Sequence, residues 1–316
     1  MKPWRWIGAL FILVLALSGC SSSFASIVLA PSQTTVIDSV DKLPRSLSTK
    51  SVPWNGNVVA LRGAKVSLPN DASGFIRISD DNQWVTYSTA PLELEKRGIP
   101  HVKDHYIVLY NLTNHKKRYV VSLAHSFPRA ISLAAPAFTS NDKQVIFWVG
   151  WEHESDLAIV DIASEKVQRL NANIMLTNFA IPDVSPDGRI VVICQGPRQG
   201  SLASELCLLD ANGKFIRYLT TAGYPWPGYG RFTPDGQYVI YESRFRLYKV
   251  RVDGTGQQQI APCSALFGPL LVTKDYAVTA CYISTKPDCY ALFVASLDGE
   301  DFRRIGYIEP YCAPAR

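Results

Sequence analysis

A short motif that recurs five times constrains the fold of this chain more than any other feature of its sequence. It consists of an apolar residue, a Ser or Thr, any residue, and an Asp or Asn. The hydroxyl residue of each copy is Ser79, Thr139, Ser185, Thr233 and Thr273, at intervals of 60, 46, 48 and 40 residues. A repeat of roughly 40 residues is typical of the blades of a β-propeller.

Each copy of the motif is followed by runs of β-branched, aromatic and other apolar residues, separated by turn residues. The first runs are Trp84–Tyr87, Val145–Trp148, Ile190–Ile193, Tyr238–Tyr241 and Val278–Cys281. Further runs follow and bring the number of predicted strands in a unit to four. We therefore predict an all-β chain that folds as a β-propeller of four-stranded blades. An additional hairpin over residues 58–60 and 65–68 leaves the choice between five and six blades open.

The motif itself has the chemistry of a turn. In the third and fourth copies, over residues 185–188 and 233–236, Pro and Gly stand where a tight turn requires a fixed φ and a positive φ. Side chains of Ser, Thr and Asp accept hydrogen bonds from nearby backbone N–H groups. We therefore interpret the acidic residues of the motif as turn formers rather than as catalytic carboxylates.

The residues from Phe232 to Tyr241 and from Leu247 to Thr255 resemble the WD-type repeat of TolB-like propellers. The resemblance covers about residues 78–306 and concerns the propeller domain alone. It implies a β-propeller that works in the bacterial cell envelope, in its integrity or as a scaffold.

The first twenty residues have the plan of a secretory signal. Basic residues open the chain, an apolar run extends from Trp6 to Leu17, and small residues lead to Cys20. The apolar run is shorter than a membrane-spanning helix requires, although an uncleaved anchor is the alternative. Residues 17–20 resemble the bacterial lipobox, which implies that Cys20 carries the lipid that attaches the protein to a membrane. We predict a signal peptide over residues 1–19 and a Ser- and Thr-rich flexible tether over residues 20–56. The propeller then takes residues 57–316, in the periplasm or outside the cell.

Charge and cysteine content narrow the classes of ligand. The formal net charge is +5 and the basic residues form no block, which argues against nucleic acid as the partner. Six cysteines remain after Cys20, and an even number in an exported protein indicates disulfides. From their places in the repeats we expect the pairs Cys194–Cys207, Cys281–Cys289 and Cys263–Cys312. No C-x-x-C pair is present, so we expect neither a metal site nor another cofactor.

A propeller has one face made of tight turns and another made of longer loops, and binding sites concentrate on loops held by a rigid scaffold. Aromatic residues and Arg are the types that dominate binding energy. The candidate binding residues in these loops are Trp148, Trp151, His153, Glu154, Tyr224, Trp226, Tyr229, Arg231, Arg244 and Arg246. The alternative is that their rings only fill the seams between blades.

These observations predict a membrane-tethered, non-enzymatic propeller that binds another envelope protein or a polymer through its long loops. The alternative is a carbohydrate-binding or carbohydrate-active propeller. That alternative predicts that Glu152, Glu154 or Asp156 faces a deep central pocket. A third possibility is a structural part of a larger assembly.

Overall fold

The computed structural model describes fourteen stretches of the chain. They are residues 34–37, 51–54, 57–60, 65–67, 72–79, 81, 83–89, 105–152, 154–177, 180–196, 204–220, 227–264, 269–282 and 290–309. Cys20 and the predicted signal peptide lie outside the described residues. Within the described stretches, no helix has the length and apolar character needed to cross a membrane.

Five antiparallel sheets form the ring of blades, and in each of them consecutive strands are neighbours. Blade 1 contains β5 (Ala72–Ile78), β6 (Trp84–Thr89), β7 (Tyr106–Asn111) and β8 (Lys117–Ser122). Blade 2 contains β9 (Ser132–Phe138), β10 (Gln144–Gly150), β11 (Ser155–Asp161) and β12 (Val167–Arg169). Blade 3 contains β13 (Asp183–Val184), β14 (Ile190–Gln195), β15 (Ser204–Leu209) and β16 (Phe215–Tyr218). Blade 4 contains β17 (Pro227–Phe232), β18 (Tyr238–Ser243), β19 (Arg246–Arg251) and β20 (Gln258–Ala261). Blade 5 contains β21 (Leu271–Val272), β22 (Tyr276–Tyr282), β23 (Tyr290–Ser296) and β24 (Phe302–Glu309).

The N-terminal part of the chain adds strands to this ring. Strand β1 (Thr34–Ile37) pairs with β24 and becomes a fifth, outermost strand of blade 5. Strands β2 (Ser51–Trp54), β3 (Asn57–Ala60) and β4 (Lys65–Ser67) form a separate three-stranded sheet beside β1 and β5. The predicted additional hairpin is part of this small sheet, and the four-stranded blades number five. Residues 34–37 and 51–54, within the stretch assigned to the tether, are thus paired in sheets.

The core lies between the blades. Because successive side chains of a strand point to opposite faces, a strand in the middle of a stack packs against two neighbouring blades at once. In β14, Val192 packs with residues of blade 2 while the adjacent Val191 packs with residues of blade 4. Both side chains are at most 1% exposed. This double burial is the reason why the second strands of blades 2 and 3 are continuous apolar runs rather than alternating ones.

The recurring motif forms the turn between the first and second strands of each blade. In blade 4 the Thr233 hydroxyl donates to Asp235 Oδ1 at 2.5 Å and accepts from the Tyr238 N–H at 3.1 Å. Asp235 Oδ1 also accepts from the Gln237 N–H at 3.0 Å. Equivalent contacts recur in the first three copies, at Ser79, Thr139 and Ser185. The interpretation of the Asp and Asn side chains of the motif as turn formers is confirmed for the first four copies.

Two disulfides are present among the described residues. Cys194 and Cys207 join β14 to β15, with 5.9 Å between their Cα atoms, as predicted. Cys281 of β22 pairs with Cys263, and their Cα atoms are 5.7 Å apart. The predicted pairs Cys281–Cys289 and Cys263–Cys312 are therefore wrong. The prediction assumed that Cys281 pairs within its own blade, as Cys194 does. Instead, the link that follows β20 and contains Cys263 passes beside β22, the second strand of blade 5. Cys289 and Cys312 lie outside the described residues.

Replacing the hydroxyl of the motif should destabilise the propeller. Thr233 is 2% exposed, so Thr233→Val keeps its shape while leaving the Tyr238 N–H without its acceptor. We expect the free energy of unfolding to fall by about 1–3 kcal/mol, measured by chemical denaturation. The control is Thr233→Ser, which keeps the hydroxyl found naturally at Ser79 and Ser185. Equal stability of the Val and Ser variants would contradict this role.

The observed disulfide pairing can be checked directly. Peptide mapping without reduction should yield one pair of peptides joined by Cys263 and Cys281, because these residues come together at the border of blades 4 and 5. The Cys194–Cys207 pair serves as the internal control in the same digest. A peptide pair joined by Cys281 and Cys289 would refute the arrangement.

Candidate functional site

The antiparallel meander of each blade sorts the connections onto two faces. The turns between first and second strands and between third and fourth strands form the short-turn face. The loops between second and third strands and the links between blades form the long-loop face. The described residues of the long-loop face are 89, 105–106, 123–131, 150–152, 154–155, 170–177, 180–182, 195–196, 204, 219–220, 227, 243–246, 262–264, 269–270, 282 and 290.

Exposed apolar side chains concentrate on the long-loop face. Four large hydrophobic residues of this face are between 49% and 69% exposed: Ile131, Met175, Phe245 and Tyr282. The two other exposed large hydrophobic residues, Tyr119 and Ile216, lie on outer strands. Among the described residues, the short-turn face carries none. None of these four residues was among the binding candidates chosen from the sequence. Their positions in or beside long loops were the sequence feature that could have identified them.

The Phe245 side chain is presented by a tight turn between β18 and β19. Ser243 and Arg246 pair across this hairpin, so Arg244 and Phe245 are its two connecting residues. Both have left-handed backbone conformations, with φ of 51° and 58°. A bulky side chain at positive φ is unfavourable and persists only where surrounding contacts hold it. Here the Phe245 N–H donates to Glu242 Oε1 at 3.0 Å, and its carbonyl accepts from the Ser264 N–H at 2.6 Å.

A half-buried carboxyl group lies beneath this turn. Burial raises the pKa of Glu242 to about 7, and the hydrogen bond from Phe245 opposes the shift. Gly228 makes room for it, since a Cβ at that position would overlap the carboxylate. Burial, and then the nearby charge of Glu242, raise the pKa of Tyr229. The long-loop face thus has a group that titrates near neutral pH directly under an exposed aromatic ring.

The candidates of the second blade have different environments. Trp148 is buried in the core between blades 2 and 3, so it packs rather than binds. Trp151 is half-buried, meets the Phe127 ring edge-on at 6.2 Å, and has the Arg169 guanidinium 4.6 Å from its ring centroid. Glu154 is exposed, and its carbonyl accepts from the Trp151 N–H at 2.8 Å.

The candidates of blade 4 are divided between two places. Arg244 and Arg246 are exposed on the long-loop face, and Arg246 donates to Gln259 at 3.4 Å. Tyr229 is half-buried within β17. Arg231 also belongs to β17, near the end of the strand that leads into the turn motif. The prediction that Arg231 lies in a loop is therefore wrong. The prolines of the sequence suggested a loop that extends to residue 231, but β17 begins at Pro227. A proline is accepted there because the innermost strand of a blade has one edge without a neighbouring strand, where no backbone N–H is needed. The candidates His153, Tyr224 and Trp226 lie outside the described residues.

The acids named for a carbohydrate-active site do not converge. Glu152 and Glu154 are exposed in the loop between β10 and β11. Asp156 is buried in the third strand of the blade, where it forms an ion pair of 2.6 Å with Arg169. Its other oxygen accepts from the N–H groups of Leu157 and Ala172. Asp156 therefore holds its own blade together.

Comparison with known proteins supports the fold. No family model and no curated protein matches the sequence. The structure is similar to TolB from Acinetobacter baumannii, with a TM-score of 0.60 and 15% identity over 88% of this chain. The fold is that of the TolB propeller. The match covers 64% of the length of the Acinetobacter protein.

Other solved propellers are similar as well. A protein described as a TolB of Agrobacterium tumefaciens matches with a TM-score of 0.59 and 14% identity, over 77% of this chain and 85% of its own. Oligogalacturonate lyase from Vibrio parahaemolyticus matches with a TM-score of 0.53 and 13% identity, over 78% and 70% of the two chains. At these identities the likeness establishes the fold alone, so the TolB resemblance predicted from the repeats is confirmed for the propeller.

Titration of Glu242 should make the stability depend on pH. Its pKa rises from an ordinary 4.5 to about 7 on folding, so the folded state holds the proton more tightly than the unfolded state. The free energy of unfolding should therefore decrease as pH rises from about 4.5 to 7, by about 1–3 kcal/mol. Denaturation at several pH values should show a flatter profile for Glu242→Gln. The exposed control Glu300→Gln should keep the wild-type profile, and a Glu242→Gln profile as steep as wild type would exclude this carboxyl as the cause.

Proposed function

We propose that this protein is a membrane-tethered, TolB-like propeller that binds another protein of the cell envelope through its long-loop face. The observation that carries the proposal is that, in the part of the chain that the structure describes, the exposed large apolar loop residues all lie on that face. Apolar surface left in water is costly, and large apolar side chains exposed on one face are the kind of surface that a partner covers. The residues concerned come from the connections around blades 1 to 5 rather than from one loop.

The chemistry of this face suits a protein partner. Interface cores are enriched in aromatic residues, Met and Arg. Phe245, Met175 and Tyr282 supply the first two types, and Arg244 and Arg246 flank Phe245 with positive charge. The strained turn fixes the backbone at Phe245 in advance, so less conformational freedom is lost when the ring is buried by a partner. We therefore place the energetic centre of the interface at this turn.

Lipidation of Cys20 is the proposed means of attachment. An acyl chain contributes about 0.8 kcal/mol per buried methylene, and more than one chain is needed for stable anchoring. The fold shared with TolB, together with the lipobox-like residues 17–20, supports a place in the bacterial envelope.

Binding without catalysis is the proposed mode of action. The carboxylates of the turn motif accept hydrogen bonds from their own turns, and Asp156 is committed to Arg169. Carbohydrate is the second candidate ligand. The half-exposed ring of Trp151 is the observation that favours it, since flat aromatic rings stack on sugars, although the Arg169 guanidinium already covers one part of this ring.

Removing the exposed apolar groups should abolish partner binding without unfolding the propeller. We expect Phe245→Asn combined with Met175→Gln to lower the yield of cross-linked partner in intact envelopes by about tenfold, because central apolar contacts dominate such interfaces. Asn tolerates the positive φ of Phe245.

The matched control is Tyr119→Asn combined with Ile216→Gln, which removes comparable apolar groups from outer strands. This variant should retain the wild-type partner. Identical cross-linked products for both double variants would show that the long-loop face is not the binding surface. Loss of the product on adding a soluble oligosaccharide would favour the carbohydrate alternative.

A further inference from the structure

The five inner strands place equivalent residues at the same level of the ring. Two residues before each motif hydroxyl lie Arg77, Ala137, Asp183, Arg231 and Leu271. The inner strands of successive blades are in contact from β5 through β9, β13 and β17 to β21, so these positions line the inner side of the propeller. In three blades this position is charged, although a small or apolar residue occupies it in the other two. Aligning the repeats at this position is the sequence signal that would have revealed the cluster.

The charged side chains meet across blades. Arg77 Nε of blade 1 lies 3.9 Å from Asp183 Oδ1 of blade 3. The other oxygen of Asp183 accepts from the Phe232 N–H of blade 4 at 2.9 Å. Arg231 of blade 4 interacts electrostatically with both Asp183 and Arg77. The side chains of Arg77 and Asp183 are only 11% and 18% exposed, so most of this ion pair is shielded from water.

The cluster has an excess of positive charge. Burial, and then the proximity of Arg77, lower the pKa of Arg231 to about 9, so its guanidinium remains protonated at neutral pH. Burial likewise lowers the pKa of Arg77, against the attraction of Asp183. Among the residues that the structure describes, two buried cations therefore share one carboxylate. An uncompensated buried charge is costly, which distinguishes this cluster from a balanced structural ion pair.

Unused hydrogen-bond donors accompany the excess charge. Arg77 Nε is buried and, among the described residues, has no hydrogen-bond partner. Thr86 lies directly opposite Arg77 on the neighbouring strand β6, so both side chains are on the same side of blade 1. Its hydroxyl is also buried and unpartnered within the described part of the chain. These donors and the positive charge together suit an acceptor that carries negative charge.

We propose that Arg77 and Arg231 form a binding site for a small oxyanion, a carboxylate or a phosphate group, at the centre of the propeller. The planar donor fork of a guanidinium matches two oxygens of such a group and binds it more strongly than a neutral ligand. Asp183 separates the two cations and competes with the ligand for them. This site is distinct from the long-loop face, so the proposal of an oxyanion site does not depend on whether that face binds a protein.

Calorimetric titration with inorganic phosphate and with malonate, at constant ionic strength, tests the site in the full chain. We expect saturable binding of at least one probe, and the preferred probe separates a phosphate ligand from a carboxylate ligand. Arg231→Met should weaken binding by about tenfold or more, because it removes one charge-assisted donor set. Arg251→Met is the control, since Arg251 is exposed on β19 and pairs with Asp253; it should bind like wild type.

Asp183→Asn provides a test that does not depend on the stability of the Arg231 variant. It keeps an acceptor for the Phe232 N–H but removes the competing charge, so affinity for the preferred probe should rise at least about threefold. A merely structural cluster predicts no saturable binding by either wild type or this variant. That result, or equal affinity of wild type and a folded Arg231→Met variant, would overturn the proposal.

Discussion

The stacking of each blade against two neighbours is the constraint on which the rest of the structure depends. A four-stranded antiparallel sheet with two apolar faces is not stable alone in water, and a closed ring supplies both faces with partners. Adjacent residues such as Val191 and Val192 of β14 consequently pack into different interblade cores. The turn motif, buried beside these cores, fixes the start of each second strand. The loops at the opposite ends contribute only some of their residues, such as Leu176, to the cores. Those loops carry the exposed apolar residues.

Much of this fold could be predicted from the sequence because its determinants are local and repeated. The hydroxyl motif predicted the turns, and apolar runs such as Ile190–Ile193 predicted the second strands. The Cys194–Cys207 pair followed from adjacency within a single hairpin. The partner of Cys281 did not, because it depends on the path of a link between blades, and no local pattern encodes that path. The number of blades could not be predicted for the same reason, because it depends on pairing between strands that are far apart in the sequence, such as β1 and β24.

The candidate site was harder to predict for a related reason. The sequence does not distinguish an aromatic residue that packs between two blades from one that faces solvent. For Trp148, only the register of β10 places the side chain in the core between blades 2 and 3. Phe245 was overlooked because a single Phe between two arginines has no pattern, and its exposure arises from the left-handed turn. The central cluster requires comparison across three repeats, because none of Arg77, Asp183 and Arg231 is unusual within its own strand.

The pairing of β1 with β24 has a mechanical consequence. In the proposed attachment through Cys20, the propeller would be held by the outer rim of blade 5 rather than along its axis. Thr34 lies 14 residues after Cys20, and a fully extended chain of that length spans at most about 50 Å. In that arrangement Thr34, at the rim of blade 5, would lie within this distance of the bilayer surface. A load applied by a bound partner would reach the membrane through the four residue pairs that join β1 to β24.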